Sequence, residues 1–171
     1  KKFVGYELPG RTLGVVGLGA IGVYVANAAV ALGMRVVGFD PTITVKSAWK
    51  MSAEVLEMPS VDELVKQSDF VTFHVPLLDT TRKLLNAQRI ATMKNGAVVL
   101  NFARDGIVDD EAVLKALDSG KLGAYVCDFP SPELKGHSKV ITLPHLGAST
   151  VEAEENCAIM VADQLRDFLE N

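Results

Sequence analysis

The stretch Gly14-Val15-Val16-Gly17-Leu18-Gly19-Ala20-Ile21-Gly22 restricts the fold more than any other part of the chain. The apolar run Leu13 to Val16 reads as a short buried strand. Gly17, Gly19 and Gly22 follow in G-x-G-x-x-G spacing, and a helical pattern runs from Ala20 to Leu32. Strand, glycine turn and helix are the context in which this spacing carries meaning. Gly17 allows the tight turn, Gly19 lets a pyrophosphate approach the backbone, and Gly22 lets the helix pack close to the strand. The free N–H groups at the helix start, with the positive end of its dipole, would hold the phosphates. A tight βα turn with no ligand would also use glycine. The second strand, Arg35 to Phe39, and Asp40 at its end complete the unit and favour a dinucleotide.

The rest of the chain repeats the strand–helix alternation. Lys46 to Met51 reads as a short helix and Val55 to Met58 as a short strand. Ser60-Val61-Asp62-Glu63 has capping-box spacing and opens a helix through Gln67. A strand runs from Phe70 to His74, a helix from an Asn86 cap to Met93, and a strand from Ala97 to Leu100, ending at Asn101. Asp109 caps a helix from Asp110 to Leu117. Gly123 to Cys127 and Val140-Ile141 are the last strands. Ser149-Thr150-Val151-Glu152 reads as a capping box opening a helix to Leu169. Most strands are apolar runs, which indicates a parallel sheet buried on both faces. The expected fold is α/β, a Rossmann-type doubly wound parallel sheet forming a single nucleotide-binding domain.

Composition narrows the classes further. The chain has 171 residues, 49% apolar and 22% charged, which suits one globular domain. A net charge of −4 argues against nucleic acid or an anionic membrane surface as partner. No apolar run spans a bilayer and no secretory leader is visible, so a cytoplasmic setting is expected. Cys127 in a strand and Cys157 on the apolar side of a helix read as packed thiols in a reducing compartment. The chain starts at Lys1 without methionine, as a piece of a longer protein would. Lys1 to Arg11 reads as an entering arm. Trp49, the only tryptophan, suits packing or an interface.

In parallel sheets ligands sit outside the carboxyl ends of the strands. Those ends carry Gly17, Asp40, His74, Asn101 with Arg104, Asp128, and Pro144-His145. Asp40, eighteen residues after Gly22, suits the ribose hydroxyls and repels a 2′-phosphate. With Pro41 next and no adjacent arginine, NAD is favoured over NADP. Histidine is the side chain suited to proton exchange with a hydroxyl near neutral pH, and His145 stands at such a strand end. Glu133 is a candidate partner for it. Arg104 has the guanidinium fork that grips a carboxylate bidentately. Together they are the equipment for hydride transfer on a small 2-hydroxy acid. His74 reads as lining, and His137 as an exposed loop residue.

With these residues in place, the chain resembles the nucleotide-binding domain of the D-isomer-specific 2-hydroxyacid dehydrogenases. The resemblance rests on the glycine stretch, on His74-Val75-Pro76-Leu77, on Asn101-Phe102-Ala103-Arg104-Asp105-Gly106-Ile107-Val108-Asp109, and on Pro144-His145-Leu146-Gly147-Ala148-Ser149-Thr150. It implies an NAD-dependent oxidoreductase in which Arg104 binds the substrate carboxylate, His145 is the acid/base and Glu133 is its partner. It implies that Ala20 and Ile21 contact the pyrophosphate. Asp128 is placed near the nicotinamide amide, and Val75, Phe102, Ala103, Gly147 and Ala148 line the cofactor. It also implies a separate substrate domain built from segments on both sides of this one. The C-terminal helix, residues 150–170, would return toward that domain, and homodimers would form through this one. Two departures stand out. Asp105 occupies a turn position that the family gives to glycine and would have to take glycine's backbone shape. The residues around Glu133 also differ from the family's. Another 2-hydroxy acid as substrate, an NAD-sensing transcriptional corepressor of the same fold, and a bare NAD-binding module for dimerisation are the alternatives.

Overall fold

The computed structural model describes residues 5–170, so the first four residues of the expected arm lie outside the described residues. The elements are β1 (Thr12–Val16), α1 (Ala20–Ala31), β2 (Arg35–Phe39), α2 (Val45–Lys50), β3 (Leu56–Glu57), α3 (Val61–Gln67) and β4 (Phe70–Phe73). They continue with α4 (Ala87–Thr92), β5 (Ala97–Asn101), α5 (Asp110–Asp118), β6 (Leu122–Cys127), β7 (Val140–Thr142) and α6 (Val151–Glu170). The strands form one sheet in the order β3-β2-β1-β4-β5-β6-β7. Every pairing is parallel. The chain builds outward from β1 to β3, then crosses back and builds outward from β4 to β7. The reversal lies between β1 and β4, where open α/β sheets hold their ligands.

All five residues of β1 are buried, as a central parallel strand requires. Leu13 and Val15 pack with Val23, Ala26 and Ala29 of α1. Val16 packs with Leu64 and Val65 of α3 on the other face. Gly14 faces α3, where a Cβ would collide with Ser68 and Leu64, so that helix lies directly on the strand. Side chains start three of the helices as expected or nearly so. The Ser60 Oγ accepts from Glu63 N at 3.2 Å, and the Asn86 Oδ1 accepts from Arg89 N at 3.0 Å. For α6 the acceptor is Thr150 Oγ1, from Ala153 N at 3.1 Å, one residue later than the expected Ser149.

Four further expectations change. Asp109 does not cap α5 through its side chain; its carboxylate is drawn instead to Lys83 Nζ, 3.1 Å away. Asp105 does not take the glycine-like backbone shape, because the next residue, Gly106, takes it at φ +81°. His137 is half-buried rather than exposed; its Nε2 meets Asp118 Oδ1 at 3.2 Å and its Nδ1 accepts from Lys139 N. Cys127 is buried as expected, but Cys157 is exposed because α6 buries none of its residues. Trp49 is also exposed. On β5 and β6, Val98, Leu100, Ala124 and Val126 are only half-buried, so one face of this half of the sheet is thinly covered.

Candidate active site

The glycine turn has the geometry its spacing demands. Gly17 sits at φ +93°, and a Cβ there would come 2.8 Å from the His74 carbonyl. A Cβ on Gly22 would collide with the carbonyl oxygen of Gly17, so α1 lies against the turn itself. Gly19 differs: nothing lies within 4 Å of a Cβ built on it. Gly19 is also the N-cap of α1, with no side-chain cap. The first-turn N–H groups, including those of Ala20 and Ile21, have no partner within the helix. Asp40 reaches back from β2 to brace the turn. Its Oδ2 accepts from Leu18 N at 2.8 Å, and its Oδ1 accepts from Thr42 N at 2.9 Å and Thr42 Oγ1 at 3.2 Å.

A wide cleft of about 1130 Å³ opens beside the turn at the carboxyl ends of the strands. It brings together Ile21, Val75, Phe102, Ala103, Arg104, Asp128, His145, Gly147 and Ala148, all expected site residues far apart in sequence. His74 lines it too, with Nε2 3.0 Å from Thr72 Oγ1. Burial pushes the His74 pKa down to about 4, so its ring is a neutral wall at ordinary pH.

Chemistry concentrates at the far side of the cleft. His145 Nδ1 lies 2.7 Å from Asp128 Oδ2, at the end of β6. A carboxylate on Nδ1 holds the ring proton there and leaves Nε2 free to exchange a proton with a ligand. The Phe129 ring packs on the imidazole with centroids 4.2 Å apart. Among the described residues no hydrogen bond or ion pair links Glu133, the partner expected from sequence, to His145. Leu134 beside it is fully buried and anchors the loop, which leaves Glu133 exposed. The other oxygen, Asp128 Oδ1, is buried without a hydrogen-bond partner. Such an acceptor calls for a donor. A carboxamide NH₂ supplies one, so the residues present fit NAD with its nicotinamide at this end and its pyrophosphate at Gly19.

Arg104 is exposed, with Nη1 donating to the Ala103 carbonyl at 2.7 Å. Its backbone is fixed by Asn101, whose Nδ2 donates to Arg104 O at 3.0 Å and whose Oδ1 accepts from Ala103 N at 3.2 Å. Asn101 is buried at 2% exposure and was not among the expected site residues. The available signal was a polar residue closing an apolar strand. Behind this loop, burial raises the pKa of Asp110, with the charges of Asp105, Asp109 and Glu133 adding to the rise.

The sequence profile of a family described as "D-isomer specific 2-hydroxyacid dehydrogenase, NAD binding domain" matches residues 1–147. D-3-phosphoglycerate dehydrogenase of Methanocaldococcus jannaschii is 41% identical over 99% of this chain, which covers 33% of that protein. The Rattus norvegicus protein of the same name is 43% identical, again over 99% of this chain and 32% of its own length. The chain thus spans about a third of the length of these curated relatives. Among solved structures, a glyoxylate reductase from Paecilomyes thermophila superposes with a TM-score of 0.86 at 30% identity, covering 99% of this chain and 52% of that one. A D-lactate dehydrogenase from Aquifex aeolicus, complexed with NAD and lactic acid, superposes with a TM-score of 0.82 at 28% identity, over 99% of this chain and 56% of that one. The turn, the cleft and the profile match converge: the chain belongs to the family of NAD-binding domains of D-isomer-specific 2-hydroxyacid dehydrogenases.

Proposed function

We propose that this domain is the cofactor half of an oxidoreductase acting on D-2-hydroxy acids, with D-3-phosphoglycerate as the substrate and serine biosynthesis as the setting. The observation that carries the reaction class is the meeting of Arg104 with the His145–Asp128 pair in one cleft beside the glycine turn. The substrate name is supported by the curated relatives, at 41–43% identity. NAD, when bound, supplies the hydride acceptor. Arg104 takes the substrate carboxylate through its guanidinium fork. His145 Nε2 takes the hydroxyl proton, and Asp128 orients the ring and stabilises its charged form. We assign the partner's role to Asp128, on the strength of the 2.7 Å bond, rather than to Glu133. The glyoxylate reductase and D-lactate dehydrogenase likenesses support a second reading, a different D-2-hydroxy acid in the same cleft.

Residues 1–171 act as one NAD-binding domain in this reading, and α6 leads toward a substrate domain. Its exposed Ile159, Leu165 and Phe168 and the thinly covered face of β5 and β6 support contact with further protein, including a second copy in a homodimer. Among the described residues no helix is long and apolar enough to cross a membrane, and the reading places the protein in the cytoplasm. The test is a panel of D-2-hydroxy acids with NAD on the intact parent protein. 3-Phosphoglycerate should give the highest kcat/KM. His145→Ala should lower turnover at least a hundredfold with NADH binding intact, at the scale of a lost general acid/base. Loss of NADH binding instead would refute the proton-transfer role.

A further inference from the structure

A second cavity, of about 230 Å³, lies against the same glycine turn. Gly19 and Ala20 line it with Tyr24, Lys46 and Lys50. Ile21 lines the large cleft instead. The start of α1 is therefore a ridge between two cavities, with the open side of Gly19 on it.

The charge balance at that ridge is incomplete. Residues 17–22 carry no charged side chain. A pyrophosphate brings two negative charges, while a helix N-terminus offers the equivalent of only about half a positive charge. Lys46 and Lys50 stand one turn apart on α2 and so share a face. Lys50 Nζ lies 5.8 Å from the centre of the Tyr24 ring, one turn along α1 from Ala20. Asn27 ties the two helices together: its Nδ2 donates to Lys50 O at 2.7 Å and its Oδ1 accepts from Ser52 N at 2.8 Å. Among the described residues neither lysine forms a salt bridge. Two exposed lysines thus line the cavity beside the phosphate-binding turn with no carboxylate at salt-bridge distance among the described residues; the one carboxylate fixed on the turn, Asp40, is engaged by Leu18 N.

We infer that Lys46 and Lys50 form an anion subsite that gives the pyrophosphate of bound NAD its countercharge across the Gly19–Ala20 ridge. This rests on the family's cofactor. Lysine is a mobile point charge on a flexible stem, suited to closing on a phosphate after it arrives.

The test is equilibrium binding of NADH, ADP-ribose, NADPH and adenosine to the chain, followed by fluorescence or calorimetry from low to high salt. Lys46→Gln with Lys50→Gln should weaken NADH and ADP-ribose about five- to tenfold at low salt, flatten their salt dependence, and leave adenosine unchanged. Lys46→Arg with Lys50→Arg should restore binding, which shows that charge and not packing is at work. Unchanged NADH affinity in the glutamine variant would overturn the inference. So would an equal loss for adenosine, or a loss confined to NADPH, which would turn the lysines toward a 2′-phosphate. Failure of the unsubstituted chain to bind NADH would overturn the cofactor reading and the inference together.

Discussion

Gly22 and Gly19 stand three residues apart in one motif, yet they should fail in opposite ways when a single methyl group is added. In Gly22→Ala the new Cβ meets the Gly17 carbonyl oxygen, a backbone atom that no rotamer change moves aside. Overpacking of this kind costs about 1–3 kcal/mol. Alanine returns about 1 kcal/mol of helix propensity inside α1, so a clash at the upper end leaves a net loss of about 2 kcal/mol. For a domain of this size that is a fall in Tm of roughly 4–8 °C. In Gly19→Ala the methyl enters open space, at an N-cap whose φ of −75° alanine accepts. The stability cost is limited to the weaker N-cap, at most about 1 kcal/mol. NADH binding, however, should fall at least tenfold, because the methyl stands where the pyrophosphate must approach. Thermal and urea unfolding with and without NADH separate the two. A Gly22→Ala protein as stable as the original would refute the packing argument. A Gly19→Ala protein with unchanged NADH affinity would refute the placement of the phosphates.

Two further outcomes follow from buried polar groups. His74 is held at a pKa of about 4 against 6.5 when unfolded, so the unfolded chain binds the extra proton first. Stability should be full above about pH 6.5 and fall by up to about 3 kcal/mol as pH drops toward 4. His74→Gln, followed by urea unfolding at pH 7 and pH 5, should reduce that dependence; an unchanged slope would refute it. Asn101→Ala removes both hydrogen bonds that pin the Ala103–Arg104 backbone. It should cost about 2 kcal/mol in urea unfolding and raise the parent's KM more than it changes NADH affinity.

The elements that position the cleft were legible because their signals are local. A buried run such as Leu13 to Val16 and a Ser60 or Asn86 cap each leave a mark within a few residues. What escaped depends on pairings made at a distance. Asp109 has cap chemistry, but Lys83 draws its carboxylate away across the fold. His137 sits in a polar loop and is nonetheless gathered in by Asp118. Cys157 carries a helical pattern whose apolar side faces no described neighbour, so periodicity read burial where there is none. The spacing of Glu133 suited a partner for His145, but it stands exposed beside the buried Leu134, and the carboxylate bonded to His145 Nδ1 is that of Asp128, at the end of a strand. Asn101 holds its own loop and also meets the Tyr125 side chain of β6, and in sequence nothing marked it beyond polarity at the end of an apolar strand.

The reversal between β1 and β4 has a consequence for the order in which the molecule is assembled. The cofactor cleft has walls from the start of α1 and from His74 to Leu77. These meet only when β1 pairs with β4, Leu13 against Phe70 and Val16 against Phe73. A chain folded only as far as α3 would own a complete glycine turn and half a binding site. Closing this long-range pair is a late and entropically costly event compared with the local β1–α1 unit. Retained NADH affinity is thus a report on the β1–β4 seam: no partly folded form that lacks it can keep both walls of the cleft.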